Sequence, residues 1–156
     1  MEFFSGDEDD TQALARALAP LLAAGDVLCL SGDLGMGKSV FARALVRALA
    51  GVPDLEVPSP TFTLIQTYET AVASVWHFDL YRIKAAEDIY ELGWEEALFG
   101  GITLVEWPER LEGLAPGERL DIVISAAEQG RRIEFIPYGC WRERINKHEF
   151  ANLTGK

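Results

Sequence analysis

Apolar side chains recur with helical spacing near the start of the chain. In residues 9–24 the i, i+4, i+7, i+8 spacing of leucines predicts an amphipathic helix. The acidic residues 7–10 suit its N-terminus, where the helix dipole is positive. Pro20 lacks an amide hydrogen, so we expect it to kink the last turn or to split the helix. The leucines of this pattern are Leu14, Leu18, Leu21 and Leu22.

Two largely apolar runs and a second helical pattern follow. Residues 27–30 and 102–105 are typical of strands that are buried on both faces of a parallel sheet. Between them a second helix is predicted from Lys38, and it stops at Gly51. Residues 52–60 contain three prolines and show neither the helical nor the strand periodicity of apolar residues, so they predict a surface loop.

Shorter segments rich in β-forming residues predict two hairpins. Residues 61–68 and 75–80 make the first pair, and residues 120–125 and 132–136 make the second. Residues 85–99 have a helical pattern that Gly93 interrupts, and this pattern predicts a further helix that flanks the sheet.

Together these elements predict a single α/β domain. Its central sheet is mostly parallel, with added β-hairpins and flanking helices. We place this domain in residues 1–140. Residues 141–156 are predicted to be a polar tail that is loosely helical or frayed.

The composition excludes several classes of protein. The 156 residues are 49% apolar and carry a net charge of −11. No apolar run approaches the roughly 20 residues that span a bilayer, so we expect a soluble cytoplasmic protein with no membrane partner. Cys29 and Cys140 lie far apart in sequence, and we expect both to be reduced. The acidic charge argues against unaided binding to a nucleic acid backbone, because that binding needs clustered lysine and arginine.

A phosphate-binding loop lies between the strand at 27–30 and the second helix. Residues 32–39 match GxxxxGK[ST] at every required position. Glycines let backbone amides converge on phosphates, and the helix N-terminus adds partial positive charge. We expect Lys38 to reach the β- and γ-phosphates and the Ser39 hydroxyl to bind Mg²⁺. The predicted nucleotide-binding residues are Gly32, Asp33, Leu34, Gly35, Met36, Gly37, Lys38, Ser39 and Val40.

A P-loop site also needs a carboxylate at the end of a buried strand, and the chain offers two. Glu106 ends the run 102–105, so it is our first choice for the acid on the metal side. Asp79 ends the run 75–78, and its better role is to orient the attacking water or a metal-bound water. Either carboxylate fits either role, and acids of this kind are also common at surfaces.

The residues after the proline-rich loop include candidates for a γ-phosphate sensor. Nucleotide switches keep a threonine near the γ-phosphate and Mg²⁺. Thr61 is our first choice because it follows the loop directly, and Thr63 on the same face of the predicted strand is the second. A threonine in a strand is more commonly only a β-former.

Three other side chains near these motifs have ordinary interpretations. His77 is most simply a satisfied, partly buried histidine. Arg82 is within reach of the phosphates, but an arginine beside Tyr81 more commonly forms a salt bridge or stacks on a ring. Trp107 either covers the nucleotide or a partner surface, or packs in the core.

In this order the blocks resemble those of a known family, the bacterial TsaE/YjeE P-loop ATPases, which serve threonylcarbamoyladenosine modification of tRNA. The shared stretches lie at residues 32–39, 59–64, 77–82, 91–93 and 104–108. Very many proteins share the P-loop alone. The other four blocks at these spacings are specific.

The resemblance implies a P-loop NTPase-like domain that hydrolyses ATP weakly by itself. It also implies work with TsaB and TsaD type proteins, with tRNA met only indirectly. In that family the residues matching Glu106 and Ser39 hold Mg²⁺, and the one matching Asp79 supports hydrolysis. Most members have threonine where Ser39 stands, and the hydroxyl is retained. With Lys38 and Thr61, the two acids complete the catalytic set that we predict.

Two other functions remain open from the sequence. A small-molecule P-loop kinase shares the loop and the size, although the 14 basic residues are scattered and form no evident arginine-rich lid. A nucleotide-gated adaptor would bind the same ligand without hydrolysing it.

Overall fold

The computed structural model describes residues 1–147, which form a seven-stranded mixed sheet with helices on both faces. The strands are β1 (Glu2–Ser5), β2 (Val27–Ser31), β3 (Ile65–Tyr68), β4 (Val75–Asp79), β5 (Ile102–Glu106), β6 (Arg119–Ala127) and β7 (Gly130–Tyr138). The α-helices are α1 (Glu8–Leu18), α2 (Lys38–Ala50), α3 (Trp94–Gly100) and α4 (Trp141–Lys147). Within this described part of the chain, no helix is long and apolar enough to cross a membrane.

The centre of the sheet is parallel, and its two flanks are antiparallel. The strand order is β1-β7-β6-β2-β5-β4-β3. β2 pairs in parallel with β5 and β6, and β5 pairs in parallel with β4. The hairpins β3–β4 and β6–β7 add the antiparallel pairs, and β1 joins the edge of β7. The predicted fold class is therefore confirmed, but β1 was not predicted.

The central strands are buried on both faces, as their apolar runs predicted. Leu28 and Leu104 belong to a large core cluster that includes residues of α1, α2 and α4. Val105 and Phe78 point to the opposite face and pack in a second cluster with Trp94 of α3. Side chains that alternate along a strand thus enter two different cores.

The first helix is shorter than its leucine pattern suggested. α1 ends at Leu18, and a 3₁₀ turn over Ala19–Leu21 follows it, with Pro20 at its centre. This confirms that the proline splits the segment. At the other end the Asp7 side chain caps the helix by accepting from the Asp10 amide at 3.0 Å.

Two predicted elements need correction. Residues 61–64 form a turn instead of the start of β3, because the Leu64 amide bonds back to the Pro60 carbonyl at 2.7 Å and Leu64 has φ 68°. In the predicted helical segment 85–99 the interruption at Gly93 is confirmed, because this glycine lies in the left-handed region before α3, but Ala86–Leu92 is a 3₁₀ helix and not an α-helix.

The C-terminal segment begins with a helix that is not simply polar. Trp141 and Ile145 on α4 are buried in the large core cluster. These two apolar side chains, four residues apart, anchor one face of the helix. The division at residue 140 stays a prediction, and residues 148–156 of the predicted tail lie outside the described part of the chain.

Thr103 on β5 allows a test of how the core is packed. Its hydroxyl is buried and has no hydrogen-bond partner within residues 1–147. We expect Thr103→Val to raise the free energy of unfolding by about 1 kcal/mol, because valine keeps the shape and removes an unpaired polar atom. Urea denaturation measures this, with the exposed strand residue Thr67→Val as the matched control. A less stable Thr103→Val would show that the hydroxyl has a partner in solution.

Cys29 and Cys140 are both free thiols, as predicted. Burial, with a smaller contribution from Asp121, raises the pKa of Cys29 from 9.0 to about 12. Above pH 9 the unfolded chain loses this proton while the folded chain retains it, so the free energy of unfolding falls as pH rises toward 12.

By pH 10 we expect this titration to remove about 1 kcal/mol of stability. Urea denaturation between pH 8 and pH 10 measures the loss. The loss should be smaller by this amount in Cys29→Ala and unchanged in Cys140→Ala, because the Cys140 thiol is exposed. An equal pH dependence in both variants would contradict the assignment to Cys29.

Candidate functional site

The phosphate-binding loop joins the end of β2 to the start of α2. Gly37 caps α2 with φ 105°, a conformation that side chains rarely adopt. A Cβ on Gly32 would lie 2.6 Å from the carbonyl oxygen of Ile124 on β6, so only glycine fits beside this strand. The glycines of the motif are therefore required by the fold of this loop.

Lys38 is buried at the first position of α2, with 6% of its surface exposed. Its ammonium donates to the Gly32 carbonyl and lies 3.5 Å from the centre of the Trp107 ring. Burial lowers the pKa of Lys38, and the carboxylates of Glu106, Glu109 and Asp79, among others, oppose that shift. The loop thus holds a poorly hydrated positive charge among acids.

Asp79 and Glu106 are direct neighbours across the β4–β5 pair. Both are buried at the C-terminal ends of their strands. Asp79 accepts from the Tyr81 amide at 3.0 Å and from the Thr61 hydroxyl at 3.2 Å. Glu106 bonds through Oε2 to His77 Nε2 at 2.7 Å. Parallel pairing therefore brings both predicted acids to one edge of the sheet.

The structure brings Thr61 to the acids, and it does not bring Thr63. The Thr61 hydroxyl bonds to Asp79 and also to Ser59, at 2.8 Å. Thr63 is exposed and accepts from Gln66 at 3.2 Å. Neither threonine lies on a strand, so the shared strand face expected from the sequence is wrong.

One open cavity of about 300 Å³ is lined by Lys38, by Thr61 and by both acids. Ser59 was not among the predicted site residues, although it lies in the same block as Thr61. The cavity lies in front of the N-terminus of α2, where backbone amides favour an anion. Its lining includes Leu34, Gly35, Gly37, Lys38, Ser39, Val40, Ser59, Thr61, Asp79, Glu106 and Trp107.

A second cavity of about 200 Å³ adjoins the other side of the loop. It lies between the β1–α1 corner, Gly35–Gly37 of the loop, and the start of β7. There the Arg131 guanidinium donates to the Met36 carbonyl at 3.2 Å. The sequence indicated only a hairpin turn at Arg131, since nothing local shows that it reaches a loop 95 positions earlier.

The structure also tests the ordinary interpretations of three other side chains near these motifs. Arg82 stacks on the exposed ring of Phe62, 4.7 Å from its centre, as its ordinary interpretation predicted. Trp107 contacts Lys38 and lines the cavity. His77 differs from the prediction, because it is fully buried and only one of its two ring nitrogens has a partner within residues 1–147.

Comparisons with known proteins agree with this architecture. A family model described as threonylcarbamoyl adenosine biosynthesis protein TsaE matches residues 5–133. The tRNA threonylcarbamoyladenosine biosynthesis protein TsaE of Bacillus subtilis is 40% identical over 133 residues, which cover 84% of this chain and 82% of that protein. The protein of the same name from Rickettsia felis is 39% identical over 127 residues, with 81% and 74% covered. Among solved structures, Bacillus subtilis YdiB superposes with a TM-score of 0.76 at 30% identity, covering 94% of this chain and 92% of that one.

Proposed function

Because the chain belongs to the TsaE family of tRNA threonylcarbamoyladenosine biosynthesis proteins, we propose that it binds and hydrolyses ATP with Mg²⁺ in support of the protein complex that forms this nucleoside. The observation that supports the proposal is one cavity lined by the P-loop, Lys38, Ser39 and two strand-end carboxylates, Asp79 and Glu106. Family membership alone says in which process the protein takes part. The cavity supports the reaction.

The triphosphate is bound by the loop and by Lys38. Amides at the start of α2 offer donors and the positive end of the helix dipole. The Lys38 ammonium needs only to exchange the Gly32 carbonyl for phosphate oxygens. Since it is buried, its charge acts on the phosphates with little screening by water.

The residues present fit a magnesium ion that is bound together with phosphates. Mg²⁺ commonly takes one or two carboxylates plus substrate phosphates and waters. The Ser39 hydroxyl and the Glu106 carboxylate line the same cavity and would hold the ion. When bound, it neutralises charge on the β- and γ-phosphate oxygens. Within residues 1–147 no cluster of three or more His, Cys, Asp or Glu suits a metal held by protein alone.

Asp79 and Thr61 are the pair that we assign to the attacking water. Asp79 is held by the Tyr81 amide and by the Thr61 hydroxyl, so its orientation is set before a ligand enters. A fixed carboxylate beside the γ-phosphate position orients a water for in-line attack. Thr61 follows the loop at 52–60 and bonds to this acid. In the proposal, loss of the γ-phosphate beside Asp79 is therefore transmitted to that loop through Thr61.

The adenine base is assigned to the second cavity. This cavity of about 200 Å³ shares Gly35, Met36 and Gly37 with the phosphate loop, so a base there remains connected to phosphates at α2. Its walls include Ser5 and Thr11, whose hydroxyls bond to each other at 2.6 Å and so fix the shape of this corner. The walls outside the P-loop come from the β1–α1 corner and from the start of β7, which the P-loop motif does not include.

Proteins of the TsaB and TsaD type are the proposed partners. The net charge of −11 disfavours direct contact with tRNA, and it favours a protein partner with a basic surface. In this arrangement tRNA is met only through the complex.

The experiment is to measure ATP binding by calorimetry and phosphate release with Mg²⁺, for the protein alone and with TsaB and TsaD. We expect binding, weak turnover alone and faster turnover with the partners. Phosphorylation of an added metabolite would favour the kinase. Tight binding without turnover in every combination would favour the adaptor, and no binding would contradict all three.

A further inference from the structure

His77 lies beside the proposed active site but does not line its cavity. Its side chain is 2% exposed, at the centre of β4. Its Nε2 lies 2.7 Å from Oε2 of Glu106, which is 3% exposed. Two polar side chains this deeply buried represent a cost that a purely apolar pair would avoid.

The sheet register explains why the two side chains meet. In the parallel β4–β5 pair, His77 lies opposite Leu104 and Asp79 lies opposite Glu106. Side chains two apart on a strand share a face, so His77 and Glu106 are diagonal neighbours on the face that carries the P-loop. Both backbones belong to central strands, and their separation is therefore fixed by the fold.

The hydrogen bond has a defined direction. An ionised Glu106 only accepts, so this contact selects the His77 tautomer that carries its proton on Nε2 and donates it to Oε2. The other ring nitrogen, Nδ1, is buried without a hydrogen-bond partner within residues 1–147. The hydrogen bond to Glu106 is therefore the only one that this ring forms within residues 1–147.

The hydrogen bond to His77 makes the two carboxylate oxygens of Glu106 inequivalent. Oε2 is occupied by His77, and no hydrogen bond within the described residues engages Oε1. Glu106 also lines the cavity that contains Lys38 and Ser39. One oxygen is anchored in the core, and the other is free for a ligand. Hydrogen bonds of this kind commonly orient the side chains that bind metals.

We propose that His77 is a positioning residue that holds Glu106 by Oε2 and leaves Oε1 for the divalent cation that accompanies the nucleotide. This inference rests on the proposed function. It adds a residue that touches neither the nucleotide nor the cation. The role predicts a selective effect, because the phosphate contacts of the P-loop do not pass through His77.

The test compares His77→Leu with His77→Gln. Leucine fills the space but leaves the Glu106 carboxylate without its donor. The amide of glutamine reaches about where histidine Nε2 lies, and it can donate to Oε2. The probe is a non-hydrolysable ATP analogue, whose dissociation constant is measured by calorimetry in EDTA and at increasing MgCl₂ concentrations. Thr103→Val is the control, since it changes a buried polar group on the other face of β5.

We expect His77→Leu to bind the analogue in EDTA as the wild type does. The Mg²⁺ concentration that gives half of the maximal gain in analogue affinity should rise by about tenfold or more. The same increase should appear in the Mg²⁺ dependence of phosphate release. His77→Gln should restore most of the wild-type response, and Thr103→Val should match the wild type. Thermal melting of each variant checks that it is folded. If His77→Leu does not fold, His77→Asn replaces it, because its shorter amide does not reach Oε2.

Unaltered Mg²⁺ dependence in His77→Leu would overturn the positioning role. So would a His77→Gln variant as impaired as His77→Leu, since the shape of the ring would then matter and its donor would not. An equal loss of affinity in EDTA and in Mg²⁺ would also overturn it by indicating general damage to the site. A wild-type chain that binds no nucleotide would overturn the proposed function itself, and that result is distinct because it precedes any substitution.

Discussion

Lys38→Ala is expected to lower the rate of phosphate release by about 100- to 1,000-fold, the range typical for loss of one preorganised group that stabilises transition-state charge. The ammonium is buried against Trp107 and is already located at the loop by the Gly32 carbonyl. Little reorganisation is needed when phosphate charge develops. The same charge in water would be worth far less.

The matched control for this variant is Lys84→Ala. Lys84 is exposed and does not line the cavity, so its removal changes the net charge equally without touching the site. Phosphate release at saturating Mg-ATP, with and without the proposed partner proteins, gives the comparison. Wild-type turnover in Lys38→Ala would contradict the assignment of the P-loop as the catalytic site.

The parts of the site that could be predicted from the sequence have local requirements. The P-loop depends on consecutive residues, because Gly37 must cap α2 with a positive φ and Lys38 must follow it. Asp79 and Glu106 were identifiable because each ends an apolar strand. That the two are direct neighbours depends on the β4–β5 register, which no single segment contains.

The parts that were missed depend on contacts between distant segments. His77 meets Glu106 across 29 positions, and Arg131 meets Met36 across 95. β1 is a four-residue edge strand, and its pairing with β7 is not evident in its own sequence. Residues 61–64 were misassigned because β-forming side chains there outweighed the turn that the Pro60–Leu64 bond imposes.

The choice between Thr61 and Thr63 shows how a small backbone difference decides a side chain's role. On a strand the two residues would share a face. In the observed turn Thr61 bonds to Asp79, whereas Thr63 is exposed. The Leu64 carbonyl accepts from the Asp79 amide at 3.0 Å, so the turn is attached to the strand that carries the acid. Two hydrogen bonds therefore attach this turn to Asp79.

Glu106→Gln is the second variant with a large expected effect, a fall of about 100-fold in Mg²⁺-dependent phosphate release. Glutamine keeps the size of the side chain and still offers an oxygen to His77, so the buried contact survives while the negative charge is lost. Because the one oxygen of the amide accepts from His77, an NH₂ group takes the place of Oε1 toward the cation, and an NH₂ group cannot bind a hard cation.

The same change should act in the opposite direction on nucleotide binding without metal. In EDTA the wild-type carboxylate repels the phosphates, so Glu106→Gln should bind ATP as tightly as the wild type or more tightly. Glu109→Gln is the matched control, because Glu109 is exposed and also acts electrostatically on Lys38, but it does not line the cavity. Calorimetry in EDTA and in Mg²⁺ separates the two effects. If Glu106→Gln and Glu109→Gln respond alike in both buffers, Glu106 acts only through the local field, and the metal role belongs to Asp79.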